Sequence, residues 1–104
     1  MPIDINPHDL DTVRSILHKH VPRLEVRAFG SRVKGTAKAY SDLDLVVMSD
    51  RPLPILIMAE LKEDFSESDL PFRVDVLDWH GTKAAFRKLI EAEYHVIQEE
   101  MGIV

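Results

Sequence analysis

Leu10, Val13, Ile16 and Leu17 recur at three-to-four spacing, which predicts a helix with one buried side running through His20. Asn6-Pro7 followed by Asp9 marks its start: a capping side chain, a proline at the first helical position and an acid in the first turn. Pro22 ends it. Leu24 to Phe29 alternates apolar and charged residues, the period of a strand with one face covered. A second strand is expected over Leu43 to Met48, cut off by Ser49-Asp50-Arg51-Pro52-Leu53-Pro54. A helix from Ile55 to Phe65 follows, then a polar loop over Ser66-Glu67-Ser68-Asp69, then a third strand from Phe72 to Leu77. Gly81-Thr82 opens a closing helix whose stripe runs through Phe86, Leu89, Ile90 and Ile97 and ends near Gly102. This order predicts an α/β fold, a small mixed β-sheet with helices packed on one face and the other face open, forming one domain over residues 1–104.

The open face is where the chemistry gathers. Asp42 and Asp44 alternate with Leu43, Leu45 and Val47, so in a strand both carboxylates share one side while the apolar residues bury the other. Asp75 lies opposite Phe72, Val74 and Val76 in the third strand and adds a third acid. Like charges so close repel and raise one another's pKa, so the group calls for cations. A donor set of hard oxygens suits magnesium or manganese, which take substrate phosphates as further ligands. That points to phosphoryl or nucleotidyl transfer, with two ions clamping the attacking and leaving oxygens.

Gly30-Ser31, ten residues before Asp42, supplies a phosphate-binding half. A strand ends at Gly30 and a short helical turn is expected from Ser31, presenting free backbone N–H groups and a hydroxyl to an anion. Arg32, Lys34 or Lys38 would add charge, although Arg32 and Lys34 read equally well as solvated. The Gly-x-x-x-x-Gly-Lys-Ser/Thr arrangement of a P-loop is absent.

Composition narrows the partners. The net charge of -5 argues against stable, nonspecific nucleic-acid binding. No apolar run approaches the roughly 20 residues of a membrane span. The absence of cysteine excludes disulfides and leads to the expectation of a cytoplasmic protein.

Gly30-Ser31, a gap of ten and Asp42-Leu43-Asp44, with Asp75 in Arg-Val-Asp-Val, resembles the signature of the DNA-polymerase-β-like nucleotidyltransferases over roughly Leu10 to Ile97. Its brevity resembles the minimal nucleotidyltransferase (MNT) type, which implies a polymerase-β-like palm without an acceptor-gripping domain. The resemblance implies a bacterial or archaeal antitoxin paired with a HEPN ribonuclease toxin encoded nearby, transferring AMP from ATP to a tyrosine of that partner. It implies Asp42 and Asp44 as ligands of two Mg2+ ions and Asp75 as ligand of the catalytic ion and activator of the acceptor hydroxyl. Gly30 and Ser31 would hold the triphosphate. An idle site with neutralisation by binding alone, or transfer to a small molecule, are the alternatives.

Other residues have plainer readings. Asp78, at the end of its strand, reads as a cap for the last helix rather than a rival to Asp75. Trp79 and Tyr40 could stack on a base, with Trp79 more naturally packed at a sheet edge. The five histidines form no ligand cluster. Ile55 to Ala59 is more apolar than one helix face needs, which suits core plus a partner surface in a homodimer or hetero-oligomer.

Overall fold

The computed structural model describes residues 3–100. Helix α1 spans Pro7–His20 and begins as its sequence dictates: the Asn6 side chain accepts a 2.8 Å hydrogen bond from the Asp9 amide, with Pro7 at the start. Strand β1 is Val26–Phe29, two residues shorter at its start than expected, because the Leu24 amide turns back onto the Val21 carbonyl. The short α2 is Ser31–Lys34, β2 is Leu43–Val47 and α3 is Ile55–Glu67. Strand β3, Val74–Asp78, leads through a 3-10 turn at Trp79–Gly81 into α4, Ala84–Ala92.

The closing helix stops earlier than its apolar stripe suggests. Glu93 turns to extended backbone and His95–Gln98 forms a fourth strand, β4; the expected end near Gly102 lies outside the described residues. β4 pairs antiparallel with β1, giving that strand a partner on its second side. Ile97 is buried there as sheet core rather than helix core. Arg14 donates to the Ile97 carbonyl at 3.0 Å, and the Gln98 amide nitrogen donates to the carbonyls of Val21 and Leu24, so β4 is tied to the end of α1.

The sheet runs in the order β3-β2-β1-β4, with β2 and β3 parallel and β1 antiparallel to both neighbours. It is the mixed sheet expected. Its core face carries Val26, Ala28, Leu43, Leu45, Val47 and Val76, packed with Val13 and Leu17 of α1 and Leu61 and Phe65 of α3. The other face is only partly open. Phe29 meets Phe86 of α4 edge-on with ring centroids 5.8 Å apart, and Val46 and Ile90 are buried apart from the main core. What remains exposed on this face is the β2–β3 end where the acids stand.

Candidate active site

Strand register assembles the site. Phe29 of β1 is the Cα partner of Asp44, and Asp44 is the Cα partner of Asp75. Cross-strand partners share a face, and the neighbours Ala28, Leu45 and Val76 all point into the core. Phe29, Asp44 and Asp75 therefore form a row on the opposite side, and Asp42 precedes Asp44 by two residues at the mouth of β2.

Gly30 sits against this row. Its φ of +81° and ψ of -157° belong to a region that residues with a Cβ avoid, and a Cβ built there would stand well inside 3.0 Å of Asp44 Oδ2. The glycine lets the backbone turn directly over the carboxylate. The Val33 and Lys34 amides close onto the Gly30 carbonyl at 3.0 and 3.1 Å, so the amides of Ser31 and Arg32 are the ones this helix start presents outward.

The electrostatics are those of a crowded acid group. Burial pushes the Asp44 carboxyl above its ordinary value of 3.8, and the charges of Asp75 and Asp42 push it further. Among the described residues Asp75 is paired with Arg73, which donates to its Oδ1 from Nη2 at 3.0 Å and from Nε at 3.3 Å. Asp75, and then Asp42, hold the Arg73 guanidinium more firmly protonated than usual. A cavity of about 830 Å³ follows β3 here, with Phe29, Asp44, Lys62, Arg73, Asp75 and Phe86 among its walls.

Among the described residues, no three His, Asp or Glu side chains stand as a ready-made metal cluster. The acids share a face and a field without converging on one point, and Asp75 is turned to Arg73. Their chemistry nevertheless fits a hard divalent cation: all donors are carboxylate oxygens, burial and then mutual repulsion already raise Asp44, and the backbone at Gly30 leaves the Asp44 carboxylate room.

The family described as "Nucleotidyltransferase domain" matches residues 10–103. The chain belongs to that family. It is 55% identical over 98 residues to the "Probable protein adenylyltransferase MntA" of Haemophilus influenzae, covering 94% of this chain and 86% of that one. Its fold matches a crystal structure of a toxin–antitoxin with AMP-PNP at a TM-score of 0.72 and 22% identity, covering 86% of this chain and 72% of the other. A second match, at a TM-score of 0.66 and 21% identity, is to a tri-AMPylated Shewanella oneidensis HEPN toxin in complex with an MNT antitoxin, covering 86% of this chain and 69% of that one. These two structural likenesses speak for the fold. The chain is thus a nucleotidyltransferase, as its Gly-Ser and Asp-x-Asp spacing led one to expect, and the family uses divalent metal ions.

Two candidate residues have other tasks in this nucleotidyltransferase. Arg32, expected as a phosphate ligand or a solvated cation, is buried and spent. Its guanidinium donates to the carbonyls of Asp4 at 2.9 Å, Ala39 at 3.2 Å and Ser41 at 2.8 and 3.0 Å, and lies 4.2 Å over the Phe72 ring. It fastens the loop between α2 and β2, which delivers Asp42, to the N-terminal segment. Asp78 welds strand ends together: Oδ1 accepts from the His80 amide at 3.0 Å and from the Ser49 hydroxyl, and Oδ2 accepts from the Leu53 amide at 2.9 Å. Partial burial pushes its carboxyl up, but these hydrogen bonds outweigh burial and hold it below the ordinary value. It caps the 3-10 turn rather than the last helix.

Lys34 is exposed at the end of α2. Tyr40 is exposed in the loop, and Trp79 is covered by the Arg87 guanidinium at 4.9 Å. Arg73 and Phe86 also wall the site, outside the motif. The strand period alone would have found Arg73, two residues from Asp75. Phe86 carried no such signal, since its helical spacing is the same whether the helix packs on the core face or the acid face.

Proposed function

We propose that the chain transfers AMP from ATP to a tyrosine of a HEPN-family protein encoded nearby, and acts as the antitoxin of that pair in the cytoplasm. The observation that carries this reading is the side-by-side placement of Asp44 and Asp75 in register, beside the Gly30-Ser31 turn. The adenylyltransferase name of its relative and the HEPN complex among its structural neighbours support it.

Asp42 and Asp44 would hold two Mg2+ ions, with Mn2+ as a substitute, and Asp75 would join the ion nearer the acceptor. When bound, these ions neutralise charge on the attacking and leaving oxygens of an in-line displacement. The amides of Ser31 and Arg32 and the Ser31 hydroxyl would take the triphosphate, with Gly30 allowing its close approach and Lys34 adding charge on the same turn. Asp75 would accept the proton of the tyrosine hydroxyl as its oxygen bonds to the α-phosphorus, the bond to the bridging oxygen breaks and pyrophosphate leaves. Asp44 is half-buried against the Gly30 backbone.

A second reading, neutralisation by binding alone, gains from Ile55 and Leu56, which open α3 at 86% and 72% exposure. Ile57 and Met58 of the same run pack on the core, so the run divides between core and a surface fit for a partner. Mass spectrometry of the neighbouring gene's product, co-expressed with this chain, tests the main reading: one or more added AMP groups on tyrosine are expected. An unmodified partner that is nonetheless silenced would favour binding alone.

A further inference from the structure

We propose that Arg73 is a positioning residue for Asp75: in the nucleotide-free protein its guanidinium is bound to Oδ1 of the third carboxylate and competes with a divalent ion for that carboxylate. Metal binding at the site is then weakened until a nucleotide arrives. This rests on the reading of Asp75 as a metal ligand.

Arg73 and Asp75 are two residues apart in extended chain, so both side chains rise on the acid face. The ladder already includes Arg73, whose carbonyl accepts from the Leu43 amide at 2.9 Å. Both Nη2 and Nε converge on Oδ1. The other arginines with recorded partners are engaged elsewhere: Arg14 with the Ile97 carbonyl, Arg27 with Glu25, Arg32 with three loop carbonyls and Arg87 with the Trp79 carbonyl. Arg73 is the one among these bound to a carboxylate of the site.

The pair is open to solvent, at 75% side-chain exposure for Arg73 and 41% for Asp75, and adds little to folding. For an incoming cation the matter is different, because a guanidinium on Oδ1 leaves Oδ2 alone to the ion and offsets the carboxylate charge that would attract it. A triphosphate offers Arg73 an alternative, since its oxygens match the guanidinium fork as well as a carboxylate does. Nucleotide arrival would thereby release Asp75 and supply further oxygens for the ion in one event.

The test is a Mn2+ titration of the nucleotide-free protein, following the free ion by electron paramagnetic resonance, for the wild type and for Arg73→Gln, Arg73→Lys, Lys62→Gln, Asp75→Asn and the Arg73→Gln/Asp75→Asn pair. Lys62 lines the same cavity and controls for loss of any nearby positive charge. Arg73→Gln should tighten Mn2+ binding about three- to fivefold, the scale of an exposed ion pair. Arg73→Lys should fall back toward the wild type, Lys62→Gln should give less than half the effect, and the effect should vanish in the Asp75→Asn background. Equal effects from Arg73→Gln and Lys62→Gln, or an effect that persists without Asp75, would overturn the proposal. Absence of Mn2+ binding by both the wild type and Arg73→Gln would overturn this inference together with the metal-ligand reading beneath it.

Discussion

The backbone of Gly30 and the carboxylate of Asp44 share a space with no room for one more carbon: a Cβ on Gly30 would stand well inside 3.0 Å of Asp44 Oδ2. This close approach joins the two halves of the site, since the turn that would hold phosphate and the strand that would hold metal touch at this point. Gly30→Ala should therefore do two things at once. Its backbone conformation should destabilise the fold by about 1–3 kcal/mol, and the displaced carboxylate should lower AMP transfer on the order of 100-fold or more. Thermal unfolding and labelling assays at a temperature where the variant is folded separate the effects. Full activity in folded Gly30→Ala would show that the contact does not matter to the chemistry.

Asp44 should weaken the fold at neutral pH. Its carboxyl is raised in the folded protein by burial and then by Asp75 and Asp42, so the fold disfavours its charged form. Stability from this group is fully present below the unfolded value near 3.8 and is lost as pH rises through the higher folded value. Asp44→Asn should thus melt above the wild type at pH 7, with the difference closing near pH 3. Added Mg2+ should raise the melting temperature of the wild type more than that of Asp44→Asn. Melting curves over this pH range that run parallel for the two proteins would contradict the assignment.

Asp75 and Asp78 should separate cleanly. Asp75→Asn should abolish AMP transfer with little change in melting temperature, its ion pair with Arg73 being exposed. Asp78→Ala should lose about 1–3 kcal/mol of stability, since the amides of Leu53 and His80 and the Ser49 hydroxyl lose their acceptor. Its carboxyl is held below the ordinary value when folded, so its contribution is present above pH 3.8 and lost as pH falls through the folded value. The stability gap between wild type and Asp78→Ala should narrow in acid.

Arg32 should behave as a structural residue. Removing its guanidinium strands the carbonyls of Asp4, Ala39 and Ser41, which predicts a loss of about 2–4 kcal/mol for Arg32→Ala. Arg32→Lys should rescue poorly, because one ammonium cannot span three carbonyls. A raised KM for ATP at unchanged melting temperature would instead mark Arg32 as a phosphate ligand.

The sequence made the acid row legible because strand alternation is a local code: Asp44 opposite Leu45, and Asp75 opposite Val76, follow from period two alone. Their mutual register was not local, and came only from the pairing of β2 with β3. The same limit explains β4. Ile97 continues a helical spacing with Phe86 and Ile90, and only the unpaired edge of β1 made strand the better home for His95–Gln98. Arg32 and Arg73 look alike in a sequence, both cations near the motif. What separates them is tertiary: Arg32 is enclosed by the loop it holds, whereas Arg73 stands on the open face.

The carboxylates at the Gly30 turn are the groups expected to carry out nucleotidyl transfer to a protein acceptor. The most direct measurement is incorporation of label from α-labelled ATP into the partner by the wild type and by Asp42→Asn with Asp44→Asn, each first shown to be folded and to bind the partner. Labelling by the wild type with Mg2+ and none above background by the double variant is the predicted result. Equal labelling by the two proteins would contradict the account.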